Sequence, residues 1–239
     1  MTGIKVSAKT QQRLVHRQEF SSATVEEPVR QLSLDGGNIR LRTPVGKPSQ
    51  WRQYKALRVN GKGIGVAYYQ ANESLCQWVE QLEPMRPLYC LGDGHPGIWT
   101  LYQQMSLPEE RQEILDWFHL MENLYKVGGS LKRLREAQTL LWQGNVDDTL
   151  TLFQPLHKPQ AQRFCEYLCQ HRSRIPNYQY YQAEGVPMGS GDVESLVKQI
   201  DRRTQLSGAQ WREDHVPIVL AHRCAYLNGQ LDPPFLSKK

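Results

Sequence analysis

The chain has 239 residues, 39% of them hydrophobic and 22% charged, with 18 Gly and 14 Pro. That mixture excludes a disordered or collagen-like chain, and its length suits one large domain or one core with a sizeable insertion. Lys plus Arg at 29 against Asp plus Glu at 24 leaves a formal net charge of +5, which admits a polyanionic partner without demanding one.

No run approaches the ~18 apolar residues of a membrane span. Lys5, Lys9, Arg13 and Arg17 are interspersed with polar groups where a signal peptide would carry its apolar stretch. Cys76, Cys90, Cys165, Cys169 and Cys224 lack CxxC spacing and fit reduced thiols rather than a disulfide framework. The expectation is a soluble, cytoplasmic protein with no membrane partner.

Residues 6–20 read as a weak helix, with Ser7 or Thr10 as cap and Val6, Leu14 and Val15 as sparse apolar contacts. In 29–42, Leu32 and Leu34 alternate on one face, Asp35-Gly36-Gly37-Asn38 follows, and Ile39 and Leu41 come after. This reads as a strand, a tight turn and a second strand. The run 54–69 is β-rich and breaks at Asn60-Gly61, a hairpin signal, so three antiparallel strands are expected before residue 70.

Residues 75–82 look helical, and 87–91 form a short apolar strand that stops at Gly92-Asp93-Gly94. Ile114-Leu115 leads into Asp116-Trp117-Phe118-His119 and a helical spacing through Leu120, Met121, Leu124, Tyr125 and Val127, a strand running into a helix. Residues 130–172 are periodic and helical throughout. The stretch 177–190 is aromatic and loop-like, and a helix carrying Asp192, Glu194, Leu196, Val197 and Ile200 starts from Gly189-Ser190-Gly191. There is no internal repeat and no low-complexity tract.

Asp35 and Asp93 each close a strand beside glycines, and Glu194 sits in the first turn of a helix. In an α/β sheet such strand and helix ends are where functional groups converge. Three carboxylates brought within ~4 Å repel by several kcal/mol at an effective dielectric of about 20, so a cluster of this kind calls for protons or hard cations. Divalent ions in pairs suit phosphoryl transfer. Each motif alone also has a bland reading, as an ordinary turn or as a helix-dipole partner.

The runs LSLDGGNIRLR (32–42), LGDGHPGIW (91–99), ILDWFHLMENLYKV (114–127) and GSGDVESLVKQIDRRTQLSGAQW (189–211) together resemble the catalytic part of a DDE transposase. The match is to the Kra-type family of bacterial insertion-sequence transposases, common in cyanobacteria, and it runs in order over most of 30–227. The resemblance implies an α/β fold: an RNase H-like mixed sheet flanked by helices, with an all-helical insertion before the last catalytic helix.

On that reading 1–28 is a helical connector, 29–127 the first part of the core, 128–185 the insertion, 186–230 the catalytic helix with the rest of the core, and 231–239 a tail. Asp35, Asp93 and Glu194 would be catalytic and would bind two magnesium ions, for which manganese substitutes. Asp192 is the rival of Glu194, which the Gly-Ser-Gly-x-Val-Glu-Ser match favours. Asp116 and His119 resemble an Asp-x-x-His signature, read as an accessory or equally as a structural cap pair.

The implied partners are transposon-end and target DNA, with a homo-oligomer assembled on the DNA. Only 34 residues precede Asp35, where the family carries a DNA-binding region, so the chain reads as an N-terminally shortened copy. A stand-alone RNase H-like nuclease and a catalytically silent DNA-binding or inhibitory remnant are the alternatives.

Lys198, Arg202, Arg203 and Arg212 are candidate phosphate contacts, interleaved with Asp201, Glu213 and Asp214. Trp211 and Trp51 could stack on a base or pack in the core. Cys165, Cys169 and His171 lack the fourth ligand of a structural zinc site. The glycines around Lys62 form no phosphate loop, since no Gly-Lys-Ser/Thr opens a helix there.

Overall fold

The computed structural model describes residues 7–17, 20, 23–61 and 63–230. Val6 and the 231–239 tail lie outside them. Helix α1 (Ala8–Arg17) starts at Ser7, whose Oγ accepts from the Thr10 amide at 3.1 Å, and Leu14 is exposed.

Three strands follow: β1 (Gln31–Leu41), β2 (Gln50–Val59) and β3 (Gly65–Tyr69). Next come α2 (Asn72–Glu80), β4 (Leu88–Gly92), α3 (Pro96–Met105), β5 (Arg111–Leu115) and α4 (Trp117–Lys126). A helical segment then carries α5 (Leu131–Trp142), α6 (Val146–Phe153), α7 (Pro159–Gln170) and α8 (Tyr178–Ala183). The described chain closes with α9 (Gly191–Thr204) and α10 (Val216–Leu227).

Among the described residues the sheet has five strands, in the order β3-β2-β1-β4-β5. β1 pairs antiparallel with β2, and β2 with β3, whereas β1, β4 and β5 run parallel. The fold is therefore α/β, a mixed sheet flanked by helices. No helix among the described residues is long and apolar enough to cross a membrane.

The sequence expectation for β1 fails in an informative way. Asp35-Gly36-Gly37-Asn38 is no turn: all four residues pair with β2 within one strand of 11 residues. The switch of apolar parity from Leu32 and Leu34 to Ile39 and Leu41 marks a change of covering layer, not of direction. Leu32 and Leu34 join the core beneath α2, α3 and the helical segment, while Ile39 and Leu41 join the core beneath α9 and α10. Alternation along a strand sends odd and even residues to opposite faces.

The two glycines are there because of what crosses over them. A Cβ at Gly37 would overlap Cζ and Oη of Tyr54, its partner on β2, and one at Gly36 would lie 3.5 Å from Lys55 Nζ.

The Asn60-Gly61 hairpin holds: both residues have positive φ (47° and 68°) and open the connection between β2 and β3, across which the Val59 amide donates to the Ile64 carbonyl at 3.0 Å. The loop expected over 177–190 contains a helix instead. Asn177 caps α8 by accepting from the Tyr180 amide at 2.9 Å, and Tyr178 is fully buried with its hydroxyl donating to the Leu115 carbonyl at 2.7 Å. That bond ties the helical segment to the end of β5.

Candidate metal centre

The sheet register brings the carboxylates together. Ser33 is level with Leu91 on β4, and Gly92 is level with Leu115 on β5. Asp35 lies two residues beyond Ser33, Asp93 two beyond Leu91, and Asp116 one beyond Leu115. Three neighbouring parallel strands thus present an aspartate at one level, which for β4 and β5 is just past the carboxyl end, where an α/β sheet opens to ligands, and for β1 is mid-strand. Asp35 shares its face with Ile39 and Leu41, which is the face covered by α9.

Helix α9 lies along β1 through buried Val193, Leu196, Val197 and Ile200. Its far end is held by Tyr54 Oη donating to Asp201 at 2.8 Å and by Gln205 Nε2 donating to the Asn38 carbonyl at 2.7 Å. In its first turn Glu194 turns toward the aspartates. Asp192 does not: its Oδ2 would stand 2.9 Å from a Cβ at Gly61, so it faces the β2–β3 turn. This geometry separates the two rivals.

Asp116, His119 and Glu194 offer ligand atoms that all lie within 4.8 Å of one another, a group that could hold a metal ion. Asp116 is fully buried and its oxygens are occupied. Oδ1 accepts from the His119 amide at 2.8 Å as the cap of α4, and Oδ2 accepts from the Ser190 hydroxyl at 2.8 Å and from the Ser190 amide. Ser190 stands at the N-cap of α9 but spends its hydroxyl on Asp116, so one carboxylate clamps the starts of two helices. The cap-pair reading of Asp116 and His119 is correct, and the pair also lies in the centre.

His119 Nδ1 is 3.2 Å from Asp116 Oδ1 and 3.8 Å from Glu194 Oε1. Its N–H is not aligned for a good hydrogen bond, so the attraction is chiefly electrostatic. Burial pushes the Asp116 carboxyl up, but the bonds from His119 and Ser190 outweigh this and hold it below the usual carboxylate range. The Asp116 contact raises the His119 pKa to about 9, against the cost of burial, with Glu194 and Asp93 adding to the rise.

The sign of the pH dependence follows. A folded pKa of about 9 against an ordinary 6.5 means that protonated His119 stabilises the fold fully below about 6.5 and loses that contribution as pH rises through about 9. Thermal melts in chelator, from about pH 6 to about pH 10, should therefore fall more steeply for the wild type than for His119→Gln. Parallel curves would remove His119 from this role.

Asp35 and Asp93 stand around that group within electrostatic reach. Burial raises the Asp35 pKa; the Gly36 N–H opposes this, and the charges of Asp93 and Glu194 add to it. Asp35 Oδ1 accepts from the Gly36 amide at 2.6 Å and Asp93 Oδ1 from the His95 amide at 2.8 Å. Among the described residues no hydrogen bond reaches Oδ2 of either. Free, half-buried carboxylate oxygens that repel one another fit a hard cation, whose charge would reverse the repulsion.

The remaining expected residues divide. Lys198 Nζ pairs with Glu194 at 3.2 Å from one turn along α9, next to the centre. Arg202 and Arg203 are exposed on the last turn of the same helix. Arg212 is exposed and held by Asp214 at 2.7 Å. Trp211 is part of the core: it packs against the α9–α10 cluster, its Nε1 donates to the Thr204 carbonyl at 2.8 Å, and its backbone pairs with Arg40 and Arg42. Trp51 remains 47% exposed, so stacking stays open for it.

Sequence reasoning missed Ser190 as a clamp and two residues of α7 and its end, Tyr167 and His171, that reach the Asp93 turn. The serine before a helix was a signal that could have been read. Nothing local in the sequence marks the other two. No protein-family model matches this chain, and no curated protein matches it.

Proposed function

We propose that the chain is an RNase H-like, DDE-type enzyme that cleaves DNA at transposon ends with divalent cations and joins the freed 3′-hydroxyl to target DNA. The observation that carries this reading is the convergence of charge at Asp35. The pKa of a half-buried carboxyl on β1 is raised first by its burial and then by the charges of Asp93, after β4, and of Glu194, on α9. The sheet order and these positions are compatible with the RNase H-like core that the four sequence runs imply.

Asp35, Asp93 and Glu194 would hold magnesium ions, with manganese as substitute, which when bound activate an attacking oxygen and stabilise the leaving one of a phosphodiester. The protein's own groups do the rest. Asp116 clamps α4 to α9 and so places Glu194. His119 supplies a positive charge that keeps the carboxylates together. Lys198 lies beside Glu194, where it meets a backbone phosphate of the bound strand, with Arg202 and Arg203 further along the helix. Positioning and electrostatics are what such a transfer needs from the protein.

The test is incubation with magnesium and a plasmid carrying the DNA that flanks the chain's own coding sequence. Nicked and joined products are expected, both lost in chelator. Cut products without joining would replace this reading with a stand-alone nuclease. Salt-sensitive binding without cutting would replace it with a DNA-binding remnant.

A further inference from the structure

Tyr167, in the last turn of α7, and His171, just beyond it, end against the turn that carries Asp93. Space there is tight. Gly94 has a φ of +102°, and a Cβ on it would lie 3.3 Å from Tyr167 Oη and 3.4 Å from His171 Nε2. His171 is 2% exposed. Its ring meets that of Tyr167 edge-on at 4.7 Å and lies 6.3 Å from Trp99 of α3.

The chemistry is unusual for a packing contact. Tyr167 Oη and His171 Nδ1 are buried without a hydrogen-bond partner among the described residues. Asn123 of α4 lies near the tyrosine hydroxyl, and its amide also donates to the His119 carbonyl at 2.9 Å. Leaving such groups unmatched is a cost that Phe and Leu would avoid in the same space. Burial lowers the His171 pKa to about 4, with Arg174 adding to the effect, so the ring is neutral and is no counter-ion. The Asp93 charge nevertheless reaches both side chains.

We propose that Tyr167 and His171 are positioning residues that hold the Asp93–Gly94 turn in the orientation in which Asp93 can hold a cation. The helical segment between α4 and α9 thereby contributes to the centre without touching the cation. This rests on the reading of Asp93 as a metal-holding residue given above. Polar residues behind metal ligands commonly orient them, and their loss typically weakens metal affinity by about 10–100-fold.

The experiment titrates the full chain with manganese alone, by calorimetry and by loss of the free-ion paramagnetic resonance signal, with no DNA present. Tyr167→Phe removes only the hydroxyl, His171→Leu removes both ring nitrogens, and His171→Gln restores a polar atom near the Nε2 position. The expected result is manganese affinity about tenfold weaker in Tyr167→Phe and His171→Leu, largely recovered in His171→Gln. Thermal stability should be unchanged or higher in Tyr167→Phe and His171→Leu, because an unmatched polar group has gone; a merely structural role would lower it.

Wild-type affinity in both Tyr167→Phe and His171→Leu, with affinity lost in Asp93→Asn, overturns this inference and leaves the centre standing. Equal binding by wild type and Asp93→Asn overturns the centre itself, and this inference with it. Should His171→Leu fail to fold, Tyr167→Phe decides alone.

Discussion

Asp35→Asn should abolish magnesium-dependent DNA cleavage, by about 10³-fold or more, while making the metal-free protein more stable. Both effects come from one charge. The carboxyl is half-buried and faces Asp93 and Glu194, so its ionised form opposes folding until a cation is present. Asparagine keeps the acceptor for the Gly36 amide and removes the repulsion. A gain on the order of 1 kcal/mol corresponds to about 2–4 °C in melting temperature for a chain of this size.

The sign with pH is the same as that for His119, because both folded pKa values are raised and both groups favour the fold at lower pH. A carboxyl with a raised folded pKa costs stability when ionised, so the metal-free wild type should gain stability as pH falls through that folded value toward 3.8. Asp35→Asn should lack this gain. Asp93→Asn and Glu194→Gln should lose cleavage to the same degree, and Asp192→Asn, which faces Gly61 instead, should keep it. Melts in chelator and in magnesium, alongside the plasmid assay, check all four. A destabilised Asp35→Asn in chelator would mean that the carboxylate is satisfied without a cation.

Gly37→Ala should be the most destabilising single methyl in the sheet. The Cβ would fall within the ring of Tyr54. That ring cannot step aside, because Tyr54 is fully buried and its hydroxyl is bonded to Asp201 on α9 at 2.8 Å. Overpacking of this kind costs about 3 kcal/mol, which is roughly 6–12 °C in melting temperature. The alternative, displacing Tyr54, breaks the bond that seats α9 and so moves Glu194.

Urea melts should therefore show the loss for Gly37→Ala and a partial recovery when Tyr54→Ala is combined with it, since the clash then has no second party. Gly36→Ala, whose Cβ meets only the flexible end of Lys55 at 3.5 Å, should cost much less. Equal losses at the two glycines would refute the crossing-side-chain explanation of this strand.

The sequence by itself determined the local units. The Asn60-Gly61 turn required positive φ and declared itself. The Asp116 cap is a short-range hydrogen bond to a residue three positions on. The strand ending beside Asp93 and the helix start that carries Glu194 were legible because each depends on neighbours a few residues away, whereas Asp35, read as closing a strand, lies inside one. The parity of apolar residues in β1 was also legible, but its meaning was not. A change of phase signals either a turn or a change in the layer that covers the strand, and only the helices packed on each face decide between them.

The same limit applies to the centre. Candidate carboxylates could be named from motifs, but the register that sets Asp35, Asp93 and Asp116 at one level is a property of paired strands up to about 80 residues apart. Asp192 and Glu194 are two residues apart on one helix, and the tertiary structure separated them by the groups each side of that helix faces. Tyr167 and His171 carry no local signal at all. Their proximity to Asp93 arises because α7 closes over the end of the sheet, a contact made by burial and not by spacing along the chain.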